Sequence, residues 1–129
     1  MKKIMIFVVL LSVIVGSLCY AAESKWTLMN ETKHTALYLD TDSITSATLN
    51  GIAIKTFKAK LLDKSLHNYS LNGVYMNQET KNWMIVHEDR YDQKGKLTET
   101  HEYSTDGQWN TYQDPLWKPV LDKVLIGLR

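Results

Sequence analysis

The stretch NWMIVHEDRY-DQKG-KLTETHEY, residues 82–103, decides the fold, because it spells out an antiparallel hairpin. Two runs that suit strands flank Asp92-Gln93-Lys94-Gly95. Asp at the first position and Gly at the fourth suit a type I turn whose glycine takes a left-handed bulge conformation. That turn pairs Asp92 with Lys96. Counting outward sets Tyr91 opposite Leu97, Asp89 opposite Glu99, His87 opposite His101 and Ile85 opposite Tyr103. Paired residues share a face, so Trp83, Ile85, Tyr91, Leu97 and Tyr103 are expected on one buried side. A register shifted by one instead puts Arg90 opposite Glu99.

The same pattern extends in both directions. Residues 26–29 begin the domain, and residues 35–39 alternate so that Leu37 and Leu39 share a face. Asp40-Thr41-Asp42-Ser43 is rich in side chains that bond nearby backbone, and reads as a turn. Asn50-Gly51 is a second turn signal, followed by a strand over 52–60. Residues 61–68 are ambiguous, with a short helical turn possible from Asp63 or Ser65. Residues 69–76 read as a strand weakened by Gly73. After the hairpin, Ser104-Thr105-Asp106-Gly107 turns the chain and sets Trp109 opposite Tyr103. Leu116, Trp117, Val120, Leu121, Val124, Leu125 and Leu128 then recur at helical spacing. Asp114 before Pro115 suits a cap and first turn, whereas Pro119 disfavours helix at Lys118 and suggests a start at Pro119 itself. The expected architecture is α+β: an antiparallel β-sheet meander with a C-terminal amphipathic helix packed on it.

The N-terminus supplies an address. Lys2 and Lys3 precede an apolar run over residues 4–18, and Cys19 and Ala21 occupy the small-residue positions of a cleavage site, the layout of a secretory signal peptide. The run is shorter than the roughly 20 residues of a membrane span. The expectation is therefore a signal over 1–21, cut after Ala21, and one α+β domain over 22–129. A retained anchor and a lipid-anchored Cys19 are the lesser readings. The cut takes two of the 15 basic residues and none of the 14 acidic ones, so the net charge moves from +1 to −1. That balance argues against nucleic acid, which needs a clustered basic face. After the cut no stable membrane span is expected. A composition 44% hydrophobic and 22% charged is that of a globular domain. Asn30-Glu31-Thr32 and Asn68-Tyr69-Ser70 fit the short glycosylation pattern.

Trp26, followed by Leu37-Tyr38-Leu39-Asp40-Thr41-Asp42-Ser43-Ile44, resembles the opening of the surface-adhesin protein E-like family. Tyr91-Asp92-Gln93-Lys94-Gly95-Lys96 resembles that family's Tyr–Asp–x–x–Gly–Lys hairpin. Trp109, Pro115 and the closing amphipathic stretch resemble its C-terminal end. The resemblance covers nearly all of residues 25–128. It implies a small exported bacterial protein with an antiparallel sheet and a terminal helix, in a family whose named branch is a cell-surface adhesin that binds host proteins. The chain departs from that pattern at Tyr75-Met76-Asn77-Gln78 and at Ile126-Gly127-Leu128. There, family members carry cysteines that look like a disulfide. Cys19 is the only cysteine here and leaves with the signal.

Candidate chemistry is sparse. His87 and His101, with Asp89 and Glu99 one pair along, could ligate zinc or a similar ion, although their spacing matches no recognised zinc signature. His34 and His67 have no partners in sequence and are expected at the surface. No nucleophile elbow or glycine-rich phosphate loop occurs, so no enzyme activity and no cofactor are expected. Four tryptophans and seven tyrosines can fill a core or anchor an interface. Trp26, Trp83 and Trp109 are expected inside. Tyr75, Met76 and Trp117 are the candidates for contact with a partner. Together these features describe an exported, adhesin-like envelope protein, in the periplasm or at the cell surface. It would bind an unidentified host or envelope macromolecule without catalysis, in an oligomeric state the residues leave open. The alternative is a periplasmic small-ligand or metal-binding domain.

Overall fold

The computed structural model describes residues 25–126. The signal-peptide expectation, with Cys19, lies outside them, as does Leu128. The strands are β1 (Trp26–Glu31), β2 (Thr35–Leu49), β3 (Ile52–Asp63), β4 (Asn68–Asn77), β5 (Trp83–Tyr91) and β6 (Leu97–Glu102), followed by the helix α1 (Lys118–Ile126). All strand pairs are antiparallel and the sheet order is the chain order, β1 to β6. This is the α+β meander with a C-terminal helix that the hairpin and the helical stripe imply. Among the described residues no helix is long and apolar enough to cross a membrane.

The Asp-Thr-Asp-Ser segment behaves differently from the turn it suggests. Asp40 pairs with Lys58 and Thr45 with Thr56, so residues 41–44 stand opposite Phe57 alone, a bulge inside one long strand. The bulge is held by its own side chains. The Ser43 hydroxyl donates to the Asp40 carbonyl (2.7 Å) and accepts from the Lys58 amide (2.8 Å). The Asp42 amide donates to the Asp40 carboxylate (3.1 Å), which also pairs with the Lys25 ammonium at 3.2 Å. These groups satisfy backbone that the ladder leaves unpaired. At Asn50-Gly51 the expected tight turn forms, with φ of 50° and 82°.

One face of the sheet carries the core. Leu37, Leu39, Phe57, Ala59, Val74, Met76 and Trp83 project from β2 to β5, and Trp117, Val120, Leu121 and Val124 close over them. The face toward α1 is the inner face of the sheet, and the opposite one is the outer face. Trp117 stacks on Trp83, ring centroids 4.4 Å apart, and the Trp83 indole donates to the Thr111 carbonyl (3.0 Å). The lead-in to the helix is clamped to β1 by the Asn30 amide, which donates to the carbonyls of Pro115 (3.1 Å) and Leu116 (3.0 Å). Asp114 caps the turn before the helix by accepting from the amides of Leu116 (2.9 Å) and Trp117 (3.3 Å). Lys118 is the first helical residue, one before the expected start, because its amide already reaches the Asp114 carbonyl (2.9 Å). Inside, the buried Asn72 amide finds the Ser70 hydroxyl at 3.1 Å. No buried side-chain polar atom among the described residues lacks a partner.

Two expectations about burial and one about pairing change. Trp83 is buried, but Trp26 and Trp109 are only half-buried. Leu97 and Tyr103 are exposed, 49% and 43%, since β6 is an edge strand and α1 covers β1 to β3. Trp109 does not pair with Tyr103. Its neighbour Asn110 instead bridges Trp83 through two backbone bonds of 3.0 and 2.6 Å.

Candidate functional site

The hairpin turn forms as its sequence dictates. Gly95 sits at φ 83°, its amide donates to the Asp92 carbonyl (2.9 Å), and the Asp92 amide donates to the Lys96 carbonyl (2.9 Å). The Asp92 carboxylate accepts from the amides of Lys94 and Lys96. Tyr91 opposite Leu97 also holds. The ladder then slips by one residue at Thr98, whose hydroxyl donates to the Arg90 carbonyl (3.2 Å). Beyond the slip Arg90 faces Glu99, Asp89 faces Thr100, Glu88 faces His101, and His87 faces Glu102. The regular register would oppose two carboxylates, Asp89 and Glu99. The bulge replaces that repulsion with an Arg–Glu pair and a Thr–Asp hydrogen bond of 2.7 Å.

The slip corrects the proposed metal constellation. His87 and His101 do not face each other. On β5 an extra residue at Val86, between the pairs Val74–Ile85 and Gly73–His87, switches the face. His87 and Asp89 therefore lie on the outer face, together with Tyr91 and Leu97, and Glu99 and His101 on the inner one. His87 also holds its two carboxylates at different ring nitrogens, Asp89 at Nε2 (3.1 Å) and Glu102 at Nδ1 (2.5 Å), so they do not converge on one point. Among the described residues no group of three or more His, Cys, Asp or Glu is arranged to hold a metal ion.

What the inner face does hold is a polar chain over β5 and β6. Arg90 donates to Glu88 through Nε (3.0 Å) and Nη2 (3.3 Å), and through Nη1 to Glu99 (3.5 Å). The Tyr103 hydroxyl donates to Glu88 Oε1 (2.7 Å), and Glu99 Oε1 lies 2.7 Å from His101 Nε2. Glu88 is the centre of this chain, its side chain only 15% exposed. Burial pushes its carboxyl up, but the hydrogen bonds from Arg90 and Tyr103 outweigh that and hold it below the ordinary carboxylate range. Glu88 in turn raises the Tyr103 hydroxyl. Two grooves meet at Glu88. One, about 560 Å³, runs past Leu61, Ser70, Arg90 and Glu99. The other, about 360 Å³, lies between Ile85, Tyr103 and Asn110.

The outer face carries a second arrangement. Tyr38, Lys60, Tyr69 and Tyr91 lie on neighbouring strands β2 to β5 and face the same way, each half-buried. The Lys60 ammonium sits 5.5 Å from the Tyr38 ring centre and 4.8 Å from that of Tyr69. Tyr69 and Tyr91 stack at 4.9 Å. Tyr75 is also half-buried on this face, whereas Met76 and Trp117 belong to the core and are withdrawn from any surface. His34 is exposed as expected, with its Nδ1 3.2 Å from the Ser65 hydroxyl, and His67 is exposed too. Sequence reading missed Glu88 and Lys60, and placed Arg90 only through the alternative register that sets it opposite Glu99, the one the strands adopt. The two-residue spacing of Glu88 and Arg90 on a strand was the available signal, because it places both on one face.

No protein-family model, no curated protein and no solved structure matches the chain.

The His87 triad makes a pH prediction. Hydrogen bonds from the imidazole to Asp89 and then Glu102 raise His87 above its ordinary value near 6.5. Stability from a raised histidine is fully present below the unfolded value and is lost as pH rises through the folded one. The thermal midpoint is therefore expected to fall across the His87 titration, and His87→Gln to remove that component. NMR titration of the ring against melting curves checks both.

Proposed function

We propose that the protein is an exported, non-enzymatic binding domain that recognises a macromolecule at the cell envelope or on a host surface, using the outer face of its sheet. The row Tyr38–Lys60–Tyr69–Tyr91 carries this reading. It crosses four strands on the face opposite the helix, and its cation and rings already hold one another. Aromatic and cationic side chains fixed in advance lose little freedom on association, and tyrosine is enriched at interface anchors. The signal-like N-terminus and the resemblance to surface-adhesin E-like proteins point the same way.

The test is capture from envelope extract and from immobilised host matrix proteins. Lys60→Glu and Tyr38→Ala are each expected to weaken capture by about tenfold, the loss of one interface anchor, with unchanged circular dichroism. Capture indifferent to both would refute the outer face as the surface. A small polar ligand is the second reading, carried by the grooves that meet at Glu88. Heat on titration with such a ligand, abolished by Glu88→Gln but not by Lys60→Glu, would favour it.

A further inference from the structure

The far edge of β6 has no neighbouring strand among the described residues. Its residues 97–100 and Glu102 are exposed and His101 is half-buried. A free edge of this kind is a template for another strand. Its backbone direction follows from one bond. The Tyr103 amide donates to the Val86 carbonyl (3.0 Å), and antiparallel ladders alternate bonded and non-bonded pairs. Glu99 and His101 therefore direct their amides and carbonyls into β5, while Thr100 and Glu102 direct theirs outward.

We propose that β6 pairs antiparallel with β6 of a second copy of this chain, about a two-fold axis through Thr100. In that register Thr100 bonds Thr100 of the second copy. Glu99 faces the second copy's His101 and His101 faces its Glu99. Glu102 stands beside its Thr98. Threonine pairs and carboxylate–imidazole contacts are cross-strand contacts that stabilise such a ladder. Sliding by one pair in either direction, which keeps the outward groups bonded, would set Glu99 on Glu99 or His101 on His101 and lose both Glu99–His101 contacts, so these side chains select the central register. An isologous pairing of this kind closes on itself, and gives a dimer rather than a fibre. Five paired residues a side make a small interface, so the dimer is a concentration-dependent one.

The experiment is sedimentation velocity over a wide concentration series, with cross-linking to fix the register. The wild-type chain is expected to pass from monomer to dimer. Thr100→Pro removes an outward amide that β5 does not use, and is expected to weaken the dimer about tenfold or more. Thr100→Cys is expected to be joined to itself by a short thiol cross-linker, and Thr98→Cys is not. A mixture of Thr98→Cys and Glu102→Cys is expected to be joined. A monomer at every concentration, or cross-linking equal at Thr98 and Thr100, overturns the proposal. The cysteine pattern decides the matter even if Thr100→Pro fails to fold.

Discussion

Trp117→Ala is expected to lower the unfolding free energy by about 3–5 kcal/mol, the range for removing a large buried aromatic. Trp117 lies just ahead of α1, is 4% exposed and stacks on Trp83. Three effects add there. The indole leaves a void between the helix and β5, the ring pair loses its stacking, and the sheet loses the side chain that seats α1 at its start. Small domains have only about 5–15 kcal/mol in total, so the variant sits near the edge of folding. Trp117→Phe keeps part of the area and the stacking, and is expected to cost roughly half as much. Urea unfolding followed by circular dichroism gives both values. A loss under about 1 kcal/mol for the alanine variant would mean that the ring does not fill the core. The same measurement separates packing from recognition. A core residue changes stability, and a contact residue changes capture by a partner and leaves stability nearly alone.

Local chemistry was legible where it acted alone. The Asp92–Gly95 turn and the Asn50-Gly51 turn were readable because glycine and aspartate set their backbone directly. The apolar stripe from Leu116 to Leu125 was readable because its partner is any apolar sheet face. The register beyond the hairpin turn was legible only as the alternative that sets Arg90 opposite Glu99. A single extra residue at Thr98 moves every later side chain to the other face, and no local signal marks it. The choice rests on Asp89, Arg90 and Glu99 together, and so on charges from two strands. Asp40 to Ser43 misled for a related reason. The capacity of those side chains to bond backbone was read correctly, but tertiary pairing with Lys58 turned it into a bulge rather than a reversal. Met76 and Trp117 looked like surface anchors because sequence shows an aromatic or a thioether without showing what covers it.

Glu88→Gln is the variant that tests the inner-face chain. At neutral pH it is expected to lose about 2 kcal/mol, near the middle of the range for hydrogen bonds to a charged group. The figure is held down because the Arg90 guanidinium is half-exposed and screened by solvent. A carboxyl held below its ordinary range contributes stability above the unfolded value, and loses it as pH falls through the folded one. Wild type and Glu88→Gln should therefore differ most at neutral pH and converge in acid. Glu99, lowered by His101 and Arg90, keeps an acid slope of its own in both proteins, so the difference between the two curves is the quantity to read. A second readout is independent of stability. Glu88 is the first cause of the raised Tyr103 hydroxyl, so Tyr103 in the variant should ionise closer to its ordinary value near 10, seen by ultraviolet difference titration. Lost stability with an unmoved Tyr103 would mean that the variant perturbs packing rather than the Tyr103–Glu88–Arg90 chain. Movement of both would establish Glu88 as the group that ties the edge strand to the sheet. The slipped register would then follow from that tie, since only the slip places Tyr103, Arg90 and Glu88 on one face.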